Sequence, residues 1–173
     1  MRMLKTVSAV VVATVATVTV LVSGSLVRAQ DRLAPQDYID IQQLVARYPY
    51  ALDTGENEGR AWASLFTADG EFVSPAGTLA GRRALSEFAN GHRPGQGPLY
   101  ARNFSTNVWI EPSAGGATGK VYAVVINIGE GGDPSSIVTG GHFEDVYVKT
   151  NEGWRIKRRE FVPSVGGPEP PAR

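Results

Sequence analysis

Apolar residues in this chain recur in steps of three and four as far as residue 90 and alternate one-in-two from residue 101, and that change of period admits few folds. Tyr38, Ile41, Val45, Tyr48 and Leu52 form one helical stripe that opens behind Pro35 and should end at Thr54-Gly55, where glycine supplies a left-handed cap. A second, shorter helix is predicted from Glu58 to Phe66, with Trp62, Leu65 and Phe66 inward. Asp69-Gly70 reads as a turn, residues 71–74 as a short strand closed by Pro75, and Gly81 to Asn90 as a third helix with Leu85 and Phe88 as its contacts. After the Gly- and Pro-rich loop from Gly91 to Pro98, four alternating runs follow: Ala101 to Glu111, Lys120 to Ile128, Ile137 to Thr150 and Trp154 to Val162. The intervals Pro112 to Gly119, Gly129 to Ser136 and Asn151 to Gly153 carry turn chemistry. Sequential strands with short turns make an antiparallel meander, and three helices ahead of it make an α+β domain.

The segment before the first helix reads as an address. A cationic start is followed by a nearly unbroken apolar run from Val7 to Val22, and Val27-Arg28-Ala29 then offers a signal-peptidase site. Residues 1–29 are therefore expected to be a signal peptide cleaved after Ala29, or an uncleaved anchor, since Thr6 to Val27 could just cross a bilayer. Both readings give an exported protein, secreted or periplasmic, with one domain over residues 30–163 and a frayed tail over 164–173. Three of the 17 basic residues fall in that first segment, leaving 14 against 17 acidic ones, so no basic excess invites nucleic acid. With no Cys, and with His92 and His142 far apart, no metal site is expected. The glycine-rich Gly129 to Asp133 lacks Lys and carries two acids, which makes it a hairpin loop, not a phosphate cradle.

A twisted sheet with helices on its concave side encloses a conical space, and the mouth of such a cone suits a small apolar ligand. The first helix turns its stripe to that space. Tyr48 in the stripe carries a hydroxyl that needs a partner once buried, although a core tyrosine satisfied by a carbonyl or a water has the same spacing.

Several runs also resemble a known family. Residues Ala46 to Gly55, then Trp62 to Phe72, Arg102 to Asn107, Gly141 to Tyr147 and Gly153 to Ile156 are similar to SnoaL-like domains of the nuclear transport factor 2 superfamily, over essentially residues 35–162. The resemblance implies a cone-shaped barrel of three N-terminal helices on a curved, mainly antiparallel sheet. Its relatives include ketosteroid isomerases, scytalone dehydratases, polyketide cyclases and many non-enzymes, so the fold alone leaves function open. It also implies a homodimer formed through the sheet.

By that resemblance Tyr48 falls on the tyrosine of the isomerase oxyanion hole, Asp145 near its acid, and Ser74 on the position of its base. A neutral serine cannot accept a proton at neutral pH, so the isomerase base is not supplied there. The first dehydratase histidine falls on Asn103, which can orient a carbonyl but cannot titrate. His142 lies three residues before Asp145, an odd offset that puts the two on opposite faces of a strand. With Asp145 inward, Phe143 and Tyr147 join it, while His142 and Glu144 look outward. Asp145 could equally pair with Arg159 or Arg102 and serve structure. Asp53 is expected to make a helix-end contact.

The expectation is an exported protein whose pocket takes a small, largely apolar molecule, without cofactor. Tyr48, Asn103 and Asp145 are its polar contacts, with Phe72, Ser74, Phe143 and Tyr147 also lining it. An enzyme of this kind would be a lyase or isomerase acting beside a carbonyl, with Tyr48 and Asn103 polarising the oxygen and Asp145 moving the proton. A non-catalytic ligand-binding protein or a dimeric interaction module fits the same residues.

Overall fold

The computed structural model describes residues 32–92, 101–128 and 136–164. The N-terminal address, most of the C-terminal tail and much of two loops read from the sequence lie outside the described residues. Three helices, α1 (Pro35–Thr54), α2 (Arg60–Ala63) and α3 (Gly81–Asn90), accompany six strands: β1 (Phe66–Ser74), β2 (Gly77–Ala80), β3 (Ala101–Ser113), β4 (Gly116–Asn127), β5 (Ser136–Thr150) and β6 (Gly153–Pro163). The strands form one sheet in the order β2-β1-β6-β5-β4-β3. All neighbours are antiparallel except β1 and β6, which run parallel. The expected α+β cone is present, but the sheet stays open: its edges, β2 and β3, do not pair, so helices rather than strand closure complete the enclosure.

Helix α1 begins where the sequence places it. Pro35 sits at the first turn, where its missing N–H costs nothing, and Asp37 accepts from the Ala34 backbone N–H at 2.9 Å. The helix passes through Pro49 without ending and stops at Gly55, whose φ of 55° is left-handed. Ile41, Leu44, Val45, Tyr48, Ala51 and Leu52 are buried, a wider stripe than the one read from the sequence. Asp37 is buried with them and also accepts from Lys149 Nζ at 2.7 Å and Trp154 Nε1 at 3.0 Å. These bonds clamp the start of α1 to the β5–β6 hairpin and pull the Asp37 pKa down from 3.8 to about 2, Lys149 contributing most.

The second helix is shorter than expected, because Glu58 takes a positive φ and cannot begin it, and because Phe66 already belongs to β1. Trp62, Leu65 and Phe66 are nevertheless buried. At Gly59, φ is 79°, and a Cβ would meet the Ser86 carbonyl oxygen of α3 at 2.0 Å. Only glycine allows these two segments to touch. Strand β1 starts earlier than expected, and an irregularity against β6 between Phe66 and Glu71 absorbs Asp69-Gly70. Its four-residue partner β2 is too short to show alternation in the sequence.

The interval Pro112 to Gly119 is not a turn: Pro112 pairs with Ala117 and Ser113 with Gly116, and the chain reverses at Ala114-Gly115. Proline is tolerated because β3 is an edge strand. Gly119 is a strand residue whose missing side chain makes room for Tyr147, since a Cβ there would stand 2.8 Å from that ring. The core joins the α1 stripe to Trp62, Phe66, Leu85, Val121, Tyr147 and Ile156, all at most 1% exposed.

Candidate functional site

Between α1, the end of α3 and the concave face of the sheet lies a cavity of about 410 Å³. Helix α1 contributes Tyr48 and Leu52, and α3 with its following turn contributes Phe88, Gly91 and His92. Strand β1 adds Phe72 and Ser74; β3 adds Ala101 and Asn103; β4 adds Ala123 and Val125; β5 adds Val138, Thr139 and Phe143; β6 adds Phe161. The wall is aromatic because side chains of five strands and two helices converge there, Tyr48, Phe72, Phe88, Phe143 and Phe161 among them. Tyr48 and Phe143 pack at 5.4 Å between ring centroids, and Phe72 and Phe88 at 5.7 Å.

The structure brings Tyr48, Asn103, Ser74, Phe72 and Phe143 together around this cavity, but not Asp145 and Tyr147. Asp145 faces inward as the alternation requires, and there it meets Arg159: Nε donates to Oδ1 at 2.7 Å and Nη2 to Oδ2 at 2.6 Å. The Tyr147 hydroxyl donates to Oδ2 of the same carboxylate. Both side chains of the ion pair are fully buried. The acid is thus already held by a guanidinium and a phenol behind the cavity wall. Of the two readings open for Asp145, the geometry matches the pairing with Arg159.

Arg159 in turn packs against both the Tyr48 and the Phe143 ring, its Cζ 4.1 and 4.3 Å from their centroids. A cation held against two aromatic faces in a dry interior is a strong local field. Burial pushes the Tyr48 hydroxyl well above the usual tyrosine pKa, with the Asp145 charge adding to the rise and Arg159 opposing it. Arg159 and Trp62 oppose the rise, while Arg159 Nη1 and Trp62 Nε1 are buried without a hydrogen-bond partner.

Asn103 is fixed from outside. Its backbone N–H donates to Asp53 at 3.2 and 3.1 Å, and its Nδ2 donates to Asp53 Oδ1 at 2.5 Å. Asp53 therefore ties the end of α1 to the edge strand and sets the plane of the amide that borders the cavity. Ser74 belongs to the β1–β2 turn, where its Oγ donates weakly to the Gly77 carbonyl at 3.4 Å and accepts from the Ala76 N–H at 3.3 Å.

His92 is the cavity residue that sequence reasoning passed over as isolated. It follows Phe88 by four and Leu85 by seven, so the α3 stripe already pointed to it. His142 and Glu144 lie on the outer face, 3.6 Å apart, with Lys120 Nζ 3.1 Å from Glu144. Lys120 lowers the Glu144 pKa. Phe104, Trp109, Tyr122 and Val146 are exposed on the same face. Among the described residues no three His, Cys, Asp or Glu side chains come close enough to hold a metal ion, and no helix is long and apolar enough to cross a membrane.

The model of the SnoaL-like domain family matches residues 35–160. A protein of unknown function from Mycobacterium tuberculosis is 29% identical with a TM-score of 0.66, the match covering 76% of each chain. An NTF2-like protein with a cystatin-like fold from Novosphingobium aromaticivorans is 25% identical with a TM-score of 0.68, over 77% of this chain and 85% of the other. ActVI-ORFA from Streptomyces coelicolor shares the fold at 18% identity, with a TM-score of 0.64 over 73% of this chain and 97% of its own. No curated protein matches the chain.

Proposed function

The chain belongs to the SnoaL-like domain family, and from that premise we propose that its cavity receives a small, largely apolar molecule bearing one carbonyl or similar acceptor oxygen. One observation carries this reading: the cavity is walled mostly by aromatic and aliphatic side chains, Tyr48 among them, and a buried arginine stands against the Tyr48 ring. An apolar wall supplies affinity, and a single placed donor supplies orientation. Asn103, held by Asp53, is the second polar contact. Asp145 keeps Arg159 in place, so its part is to position a charge rather than to touch the ligand.

Turnover is the finer part of the proposal. A donor aimed at a carbonyl oxygen stabilises the charge that develops when a neighbouring C–H bond breaks, which is the chemistry of a cofactor-independent lyase or isomerase. Export to the periplasm or beyond is proposed from residues 1–29 alone. Native mass spectrometry of the protein purified from its own cells is expected to find a retained small molecule and a mass beginning after Ala29. A panel of steroids and polyketide-like ketones should raise the melting temperature. An empty protein unmoved by every compound would overturn the ligand reading.

The exposed Phe104, Trp109, Tyr122 and Val146 favour a second, compatible reading, in which the outer sheet face meets another copy of the chain. Sedimentation equilibrium should give a dimer that Tyr122→Glu converts to a monomer. A monomeric parent chain would rule this out.

A further inference from the structure

Just past the end of β6, the Ser164 N–H donates to the Gly140 carbonyl oxygen at 2.8 Å. Gly140 pairs with Val124 and Val124 with Phe104, so Ser164 opens a row that crosses β5 and β4 to the edge strand β3. This row lies on the outer face of the sheet, because the neighbours Thr139, Val125 and Asn103 line the cavity from the inner one. Gly140 makes the row a trough: it has no side chain, and a Cβ there would meet only the Ala123 carbonyl oxygen, at 3.9 Å. Tyr122, His142 and Val162 stand in register along one side of it, and Arg102, Ile126 and Ile137 along the other. Phe104, Tyr122 and Ile137 are 49%, 59% and 72% exposed, which leaves apolar surface in water. Arg102 donates to the Ala101 carbonyl oxygen and, among the described residues, meets no carboxylate.

The segment that leaves Ser164 has the composition to cover this trough. Residues 165–173, outside the described residues, read Val-Gly-Gly-Pro-Glu-Pro-Pro-Ala-Arg. Gly166 and Gly167 permit a sharp turn out of β6. Pro168, Pro170 and Pro171 favour an extended course, and such segments dock on exposed aromatic rings because they have little conformational freedom left to lose. Glu169 is the one acid of the segment, and it supplies the carboxylate that Arg102 lacks. Length permits the crossing. Three strand spacings separate β6 from β3, about 14 Å, and an extended segment of this size spans about 28 Å.

We propose that residues 165–173 cross the outer face of the sheet as a strap within one chain, the prolines lying on Tyr122 and Phe104 and Glu169 pairing with Arg102. The strap joins the end of β6 to the edge strand β3, over the back of the wall whose inner residues Asn103, Val125 and Thr139 line the cavity. Trp109 and Val146 lie further along the same face, past the strap, so a second copy of the chain can still meet them. The strap needs no ligand and does not rest on the ligand reading.

The test places one nitroxide label on the full chain through Ala172→Cys, which is selective because the sequence contains no other Cys. A docked strap keeps the label beside its site where a wandering tail does not, so the amide NMR signals of Arg102, Phe104 and Val124 should lose about half of their intensity or more. Lys149 and Trp154, at the far end of β5 and β6, should keep theirs. Phe104→Ser and Arg102→Glu should each restore the faded signals, and Glu169→Arg added to Arg102→Glu should make them fade again, which chance proximity would not do. Fading that centres on Ser164 and is unmoved by these variants belongs to a fraying tail and overturns the proposal. A mixture of labelled chain with unlabelled, 15N-enriched chain reports on contact between copies. Fading of Phe104 in that mixture would give the tail to a second copy and would also overturn the strap, and the ligand reading survives either result.

Discussion

Arg159 and Asp145 meet in a two-point ion pair whose side chains are both fully buried, directly behind the ring of Tyr48. The sequence offered Asp145 as a polar contact of the pocket; the pair makes it the counter-charge of a cation that the pocket feels through an aromatic ring. Replacing it should therefore act on folding first. Asp145→Ala leaves a buried guanidinium without its carboxylate, and urea unfolding should show a loss of about 3 to 5 kcal/mol. A loss below about 1 kcal/mol, the size of an exposed pair, would mean that water reaches Arg159.

Tyr48→Phe tests the hydroxyl without disturbing the ring that covers Arg159. The variant should unfold within about 1 kcal/mol of the native chain, since the ring packing is kept and one hydroxyl is lost. Ketone affinity should weaken, and any ketone turnover should fall about 100-fold, the cost of one oxyanion donor. Calorimetric binding and turnover rates on the same preparation separate the two effects. Unchanged values for both would remove the hydroxyl from the site.

Asp37 predicts a pH signature. Its folded pKa lies near 2, below the ordinary 3.8, so its contribution is complete above 3.8 and is lost as the pH falls through 2. Its side chain is 11% exposed, so solvent screening is limited. Asp37→Asn should cost about 1 to 2 kcal/mol at neutral pH. The gap between variant and native chain should close between pH 3.8 and 2. Denaturant midpoints measured across that range give the answer, and a gap that does not vary with pH would show that the carboxylate charge is not what holds the clamp.

Gly59→Ala should be among the most damaging single changes outside the cavity. The new Cβ would need a left-handed backbone and would collide with the Ser86 carbonyl 2.0 Å away. Strain and displacement together should cost about 2 kcal/mol or more, seen as a lower melting temperature. Gly77→Ala is the control, because φ is also positive there but no atom lies within 4 Å of the added carbon.

Periodicity located the helix carrying Tyr48 and the strand carrying Phe143, Asp145 and Tyr147, and showed that these three share one face; the family resemblance turned that face inward. Other features left no such trace. Proline and glycine between residues 112 and 119 mark a turn by composition, yet an edge position excuses the proline and Tyr147 requires Gly119. Asp53 and Asn103 are 50 positions apart, and nothing in either neighbourhood announces that they share two kinds of hydrogen bond. The choice between pocket acid and buried counter-ion for Asp145 depended on where one arginine of the run Lys157-Arg158-Arg159 would point. Strict alternation from Ile156 would send Arg158 inward; the irregularity between Val146 and Tyr147 turns Arg159 inward instead and aligns it with Asp145.

Among the described strands, β6 alone pairs with both the β1–β2 hairpin and the β3–β5 meander, and it follows all of them in the chain. During synthesis the two parts of the sheet wait as separate pieces, and the arginine that will sit behind Tyr48 is still to come. A truncation ahead of Gly153 would therefore part the sheet into two pieces and remove the arginine that sits against Tyr48, forfeiting the architecture rather than its margin.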